Sequence, residues 1–277
     1  MKVVGYGKLR TRKSTQFNTK HVSPKPALNI STKQRSRVPK IPTAIPTATP
    51  SPSKKQLFIV GGGSSLANFE FSRLMGRDVM CVNTAIFSVP FAKYFVTKDY
   101  TWLVKKGVVK SNTQYGNRER FLNHKAIKVF MACLGETLVC TPEGYIDTKF
   151  SLRYDLTMFH TILDCMKKGG IGLTKKDARY AGDSGYSALQ LAVILKYDQI
   201  FLLGYDMTTT NKTHYHRGYG DGVKEFQTRL DRYLVHYSRA MDDIKEKTEI
   251  EVFSCSPISR LNEFVPFRDI QEVLCAR

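Results

Sequence analysis

The stretch Leu57-Phe58-Ile59-Val60-Gly61-Gly62-Gly63-Ser64-Ser65-Leu66 decides the fold. Four apolar residues, β-branched towards their end, read as a short buried strand. The three glycines that follow open backbone conformations closed to other residues and allow close approach to a ligand. Ser64 and Ser65 add hydroxyls where the next element, predicted to be a helix, begins. Amides freed at such a strand-to-helix turn form an anion site, most often for a phosphate. The glycines follow the strand directly, which favours a phosphate loop over a plain flexible connector. The turn is neither a Walker loop, since no Gly-Lys-Ser/Thr follows, nor a full G-x-G-x-x-G.

Working outward, strands are predicted over residues 57–60, 79–82, 94–97, 126–131, 199–203 and 249–253. Helices are predicted over 68–74, near 100–106, and over 156–168, 184–195 and 222–246. Strand–helix alternation implies an α/β, Rossmann-like parallel sheet with helices on both faces. Ligands of such sheets bind beyond the carboxyl ends of the strands. The residues just there are polar: Gly61 to Ser65, then Asn83, then Lys98 and Asp99, then Gly204, Tyr205 and Asp206. Asn and Asp favour turns for local reasons, but four such ends along one predicted edge point to a site.

Two further stretches are dense in chemistry. In Gly182-Asp183-Ser184-Gly185-Tyr186, Asp183 or Ser184 is placed to cap a helix, and small Gly185 lets the helix start approach a ligand. Residues 208–221 hold His214-Tyr215-His216-Arg217-Gly218-Tyr219 in a Gly-rich loop. Two histidines at i and i+2 lack a convincingly spaced third metal ligand. An imidazole suits deprotonation of a hydroxyl near neutral pH. Tyr215, Arg217 and Tyr219 are candidates for a leaving phosphate.

Composition sets the frame. The formal charge is +19, with hydrophobic residues at 42%, enough for a sizeable core. Thirteen Lys and Arg lie in residues 1–55, before the first acidic residue, Glu70; the remaining thirty against twenty-four acidic residues leave only +6. Seven of the eleven prolines also fall there. Such a segment cannot bury enough apolar area to offset its ordering entropy. Residues 1–55 therefore read as a disordered basic tail and linker, and 56–277 as the Rossmann-like domain. The tail suits contact with nucleic acid or an anionic surface, and it also has the composition of a transit peptide or a simple solubilising tail. Cys81, Cys133, Cys140, Cys165, Cys255 and Cys275 show no metal or disulfide spacing, so a cytoplasmic setting is expected. The N-terminus lacks the apolar core of a secretory signal.

Ile59 to Leu66, Val82-Asn83, Ser184-Gly185 and Ile200-Phe201-Leu202-Leu203-Gly204-Tyr205-Asp206-Met207 together resemble the bacterial lipooligosaccharide sialyltransferases. The same pattern is similar to the family around the archaeal 6-hydroxymethylpterin pyrophosphokinase and to uncharacterised bacteriophage proteins. The resemblance spans residues 57–274 on short motifs. It implies a nucleotide site at Gly61, Gly62, Gly63, Ser64, Ser65, Asn83, Asp99, Ser184, Gly185 and Asp206. His214-Tyr215 resembles the sialyltransferase His-Tyr, which implies that His214 is the catalytic base. Tyr215, Tyr219 and Arg217 would then serve the leaving phosphate. The family's Asn or Pro in the first loop is replaced by Gly62 and Ser64, which leaves the nucleotide open.

Three function classes follow. The first is an inverting nucleotide-sugar glycosyltransferase with an unknown hydroxyl acceptor, needing no cofactor or metal. The second is an ATP-dependent pyrophosphokinase-like enzyme, which needs Mg²⁺, with Asp99 or Asp206 as candidate ligands. The third is a non-enzymatic nucleic-acid-associated protein, motivated by the tail. A homo-oligomer is compatible with each.

Overall fold

A computed structural model describes residues 54–99, 102–103, 118–132, 138–141, 144–147, 152–154, 156, 158–165, 167–209, 212–216 and 222–275. The strands are β1 (Gln56–Val60), β2 (Val79–Val82), β3 (Tyr94–Thr97), β4 (Ile127–Ala132), β5 (Leu138–Thr141), β6 (Gly144–Asp147), β7 (Leu152–Tyr154), β8 (Thr161–Asp164), β9 (Lys167–Lys168), β10 (Arg179–Tyr180), β11 (Gln199–Leu203) and β12 (Glu251–Ser254). The α-helices are α1 (Arg118–Asn123), α2 (Ser184–Ile194), α3 (Val223–Lys247) and α4 (Ile270–Cys275). Seven strands form one sheet in the order β12-β11-β1-β2-β3-β4-β8. Every pairing within it is parallel. The expected Rossmann-like α/β sheet is therefore present.

Register explains why β1 is apolar throughout. Ile59 lies opposite Leu202 on one side and Met80 on the other, so the strand is interior to the sheet. Leu57 and Ile59 enter one buried cluster with residues of α2 and α3. Phe58 and Val60 enter a second, with Trp102, Phe121 and Phe130. A strand buried on both faces reads as a continuous apolar run, not as an alternation.

The strand order reverses beside β1. From β1 the chain steps outward through β2, β3, β4 and β8, while β11 and β12 are laid on its other side. The carboxyl ends of β1 and β11 thus flank a topological switch point, where sheets of this class leave a crevice for ligands. Helix α2 starts at the same edge, capped by Asp183, whose side chain accepts the Tyr186 amide at 2.9 Å. Its residues are buried on nearly all sides, since α3 packs in the same cluster.

Two predicted helices are corrected. Residues 68–74 form no α-helix: the segment after the glycines is a 3-10 turn over Ser64–Leu66, followed by another over Phe71–Leu74. Residues 156–168 hold the strands β8 and β9. The apolar spacing of that segment mimics a helix, but β4 offers an open parallel edge that Thr161–Asp164 fills, and such pairing overrides weak local preference. Of the segment near 100–106, only Trp102 and Leu103 lie within the described residues. The tail reading falls outside them, apart from Lys54 and Lys55. Among the described residues, no helix is long and apolar enough to cross a membrane.

Candidate functional site

The glycine turn after β1 is tied to the end of β11. The Gly61 amide donates to Leu203 O and the Gly63 amide to Gly204 O, each at 2.8 Å. Gly204 turns the chain with φ +68, in the left-handed region that a side chain disfavours. That turn delivers Asp206, only 2% exposed, into the loop. Its carboxylate accepts the Ser65 amide at 2.9 Å, the Ser65 hydroxyl at 2.5 Å and the Ser64 hydroxyl at 3.3 Å. An internal carboxylate thus sits where the sequence leads one to expect only a ligand's anion. Gly61, Gly62, Gly63, Ser64, Ser65 and Asp206 form one unit. Among the described residues, the amides of Gly62 and Ser64 are the turn's donors outside this network.

His214 reaches the same turn from the segment after β11. The Tyr215 amide donates to Gly62 O at 3.0 Å, fastening that segment to the glycines. His214 is 7% exposed, and its Nδ1 lies 3.0 Å from the Thr213 hydroxyl. A Cβ added to Gly62 would stand 2.8 Å from His214 Cδ2 and 3.6 Å from each Nε2 of His214 and His216. The imidazole edges therefore face the glycine backbone. The two histidine rings stack with centroids 4.8 Å apart and planes 28° apart, and Phe226 of α3 lies 4.8 Å from His214. Burial, and then the charge of His214, push the His216 imidazole down to about 3. Burial pushes the Tyr215 phenol up to about 12. Its hydroxyl is 3.0 Å from that of Ser88, and its ring packs on Phe71. Arg217 and Tyr219 lie outside the described residues.

The other expected site residues divide between the crevice and the scaffold. Asn83 follows β2 directly with φ +49, and among the described residues its buried Oδ1 has no hydrogen-bond partner. A buried acceptor without a donor is costly, so Asn83 is suited to a ligand. Ser184 is buried; its hydroxyl takes the Lys98 amide at 3.1 Å and lies 3.5 Å from the Thr97 hydroxyl. Gly185 accepts the Tyr205 hydroxyl at 3.0 Å, and a Cβ there would stand 2.8 Å from Tyr237 Oη. These two residues lock α2 against β3 and β11. Asp99 accepts the Trp102 amide at 3.0 Å, as a cap does.

Sequence reasoning missed Thr213, Ser88 and Phe226. Thr213 precedes the histidine, a visible signal; the other two approach only through tertiary packing. In the sequence Asp183 reads only as a cap. Its carboxyl is buried, with Tyr186 N and Tyr237 Oη on Oδ1 and, among the described residues, no partner for Oδ2. Burial raises its pKa despite those donors and the nearby Lys98 charge. Cys81, Cys165 and Cys255 are buried, as small apolar groups usually are.

No protein-family model matches the chain, and no curated protein matches it. Several solved structures are similar. The Campylobacter jejuni sialyltransferase CstII with the substrate analogue CMP-3FNeuAc is 16% identical, covering 77% of this chain and 86% of that one, with a TM-score of 0.42. CstII with cytidine-5'-monophosphate is 15% identical over 77% and 84% of the two chains, TM-score 0.44. The monofunctional α-2,3-sialyltransferase Cst-I of C. jejuni is 15% identical over 78% and 81%, TM-score 0.42. A likeness at that level assigns neither ligand nor reaction to this chain.

Proposed function

We propose that the protein is a nucleotide-sugar-dependent glycosyltransferase in which His214 is the general base. One observation carries this reading: the segment bearing His214 is hydrogen-bonded onto the glycine turn, Tyr215 N to Gly62 O. His214 and the glycine turn, about 150 residues apart in sequence, thus meet at the switch point of the sheet, which supports a base working beside that turn. If Nδ1 of His214 donates to Thr213, its Nε2 keeps a lone pair beside Gly62. In the proposed step Nε2 takes the proton of an acceptor hydroxyl, and that oxygen attacks the anomeric carbon. The bond from that carbon to the phosphate oxygen breaks, and the nucleotide leaves with the electron pair, opposite the attack. The Gly62 and Ser64 amides would receive the departing charge. Asn83 Oδ1 would accept a hydrogen bond from the donor. Tyr215 stays protonated near neutral pH, with its hydroxyl close to Ser88.

The kinase alternative requires carboxylates open to Mg²⁺. Asp206 already takes three hydrogen bonds from Ser64 and Ser65, and Asp99 holds the Trp102 amide. Asp206 is thus committed to the turn, which supports the metal-independent reading. Among the described residues, no group of three or more His, Cys, Asp or Glu is arranged to hold one.

The test is a thermal-shift panel of CMP, CMP-sialic acid, UDP-sugars and ATP, with and without Mg²⁺, followed by turnover of any binder. Stabilisation by a nucleotide sugar and turnover in excess chelator are expected. ATP turnover abolished by chelator, or no stabilisation by any nucleotide, would overturn the proposal.

A further inference from the structure

His214 sits in a segment with no regular secondary structure. An imidazole on such a segment rotates about two side-chain bonds unless neighbours restrain it, and a base must be held within about half an ångström to be efficient. The restraints are specific. Thr213 meets Nδ1 at 3.0 Å, fixing one edge. Phe226 tilts against the ring at 44° and 4.8 Å. His216 stacks on it at the same centroid distance, closer to parallel at 28°. Tyr215 meets the His216 ring nearly edge-on, at 78° and 5.1 Å, while its own amide is fixed to Gly62. His216 is thus anchored by the residue that anchors the whole segment.

We propose that His216 is a positioning residue, whose flat ring, stacked on His214, holds the base's Nε2 over the glycine turn. This rests on the reading of His214 as the base. What the arrangement needs from His216 is a planar, uncharged face and not a nitrogen. Burial beside His214 keeps its ring neutral at working pH, so it stacks without placing a cation against the base. With so low a proton affinity it would be a poor general base itself, since efficiency favours a pKa near the operating pH. The His-x-His spacing reads in sequence as half a metal site or as two competing bases; the stack gives the second histidine a separate role.

Two volume-filling variants separate a flat face from mere bulk. His216→Phe keeps a flat, neutral ring; His216→Leu fills the space without planarity. The readouts are CMP affinity by titration, turnover of CMP-sialic acid, and the ring ¹⁵N resonances of His214 in ¹⁵N-histidine-labelled protein. His216→Leu is expected to lower kcat about tenfold, within the loss that misplacing a reacting group brings. CMP affinity should stay within about twofold. Its His214 ¹⁵N signals should move towards tautomer averaging. His216→Phe should keep kcat within about threefold of wild type and the His214 signals in the wild-type pattern. Phe as impaired as Leu would show that a nitrogen of His216 does the work and would overturn the proposal. So would full activity in Leu, or His214 signals identical in all three proteins. The NMR arm reads the clamp without turnover. A wild type with restrained His214 signals that turns over no nucleotide sugar would refute the functional reading and leave the clamp standing.

Discussion

Gly62→Ala tests the placement of the base most directly. The new Cβ would stand 2.8 Å from His214 Cδ2, whereas carbon atoms pack best at about 3.5–4.0 Å. Relief by the imidazole alone requires a displacement of roughly 0.7–1.2 Å, the difference between those values. A misplacement of about 1 Å at reacting groups costs on the order of 10²-fold in rate. The stability cost is smaller, about 1–3 kcal/mol for overpacking, or a Tm fall of a few degrees, because the obstacle is a side chain and not backbone. Gly63→Ala is the contrasting control. Its Cβ would meet the Gly204 carbonyl at 2.6 Å and Asp206 Cγ at 2.5 Å, so fixed backbone must yield and folding should suffer first. The assay is kcat with the sugar nucleotide selected by the panel, alongside donor Kd and Tm for both variants. A folded Gly62→Ala protein with wild-type kcat would show that His214 does not work from beside this glycine, and the site as drawn would fail.

His214→Ala should lower kcat about 10²–10⁴-fold with donor Kd preserved; a loss confined to KM would assign it to binding instead. Asp206→Ala removes the acceptor of three hydrogen bonds inside the glycine turn and should destabilise by about 1–3 kcal/mol, measured by urea unfolding. An unchanged midpoint would deny it that role. His216 is neutral in the fold to about pH 3, whereas in the unfolded chain it binds a proton below about 6.5. The unfolded state then holds the extra proton between those values, and stability falls as pH drops through that window, by up to about 1.4 kcal/mol per unit. His216→Phe should flatten that slope in unfolding measured from pH 7 to 4, and an unaltered slope would contradict the burial of the ring. Deleting residues 1–53, which have the composition of a chain without a core, should leave the domain's Tm unchanged within about 2 °C; a fall of more than about 5 °C would refute that.

The sheet was legible in the sequence because its strands are short apolar runs ending in polar turns. β1, β2, β3 and β11 begin or end within a residue of their predicted bounds. Helix α3 lies within a residue of its predicted 222–246. What local pattern could not give was whatever depends on a partner elsewhere in the chain. Thr161–Asp164 is a strand because β4 needs an edge partner, and nothing within the segment says so. The antiparallel sheet of β5, β6 and β7 was likewise missed.

The glycine turn shows the same limit at the level of chemistry. Three glycines after a strand signal a close approach, which the sequence alone reads as that of an anion. Part of that approach, however, is made by the chain itself. A Cβ at Gly63 would collide with Asp206, one at Gly62 with His214, and one at Gly61 would stand 2.9 Å from the Gly204 carbonyl. The glycines are therefore required whether or not a ligand is bound, and their presence alone is weaker evidence for a phosphate than the motif suggests. What bears on function is what those absent side chains admit. A methyl at Gly63 would exclude a buried carboxylate that organises the turn. A methyl at Gly62 would exclude a restrained imidazole, which structure alone has no need to place against a backbone amide. Substituting Gly62 and Gly63 separately thus distinguishes a turn built only to pack from one built to hold a base at the switch point.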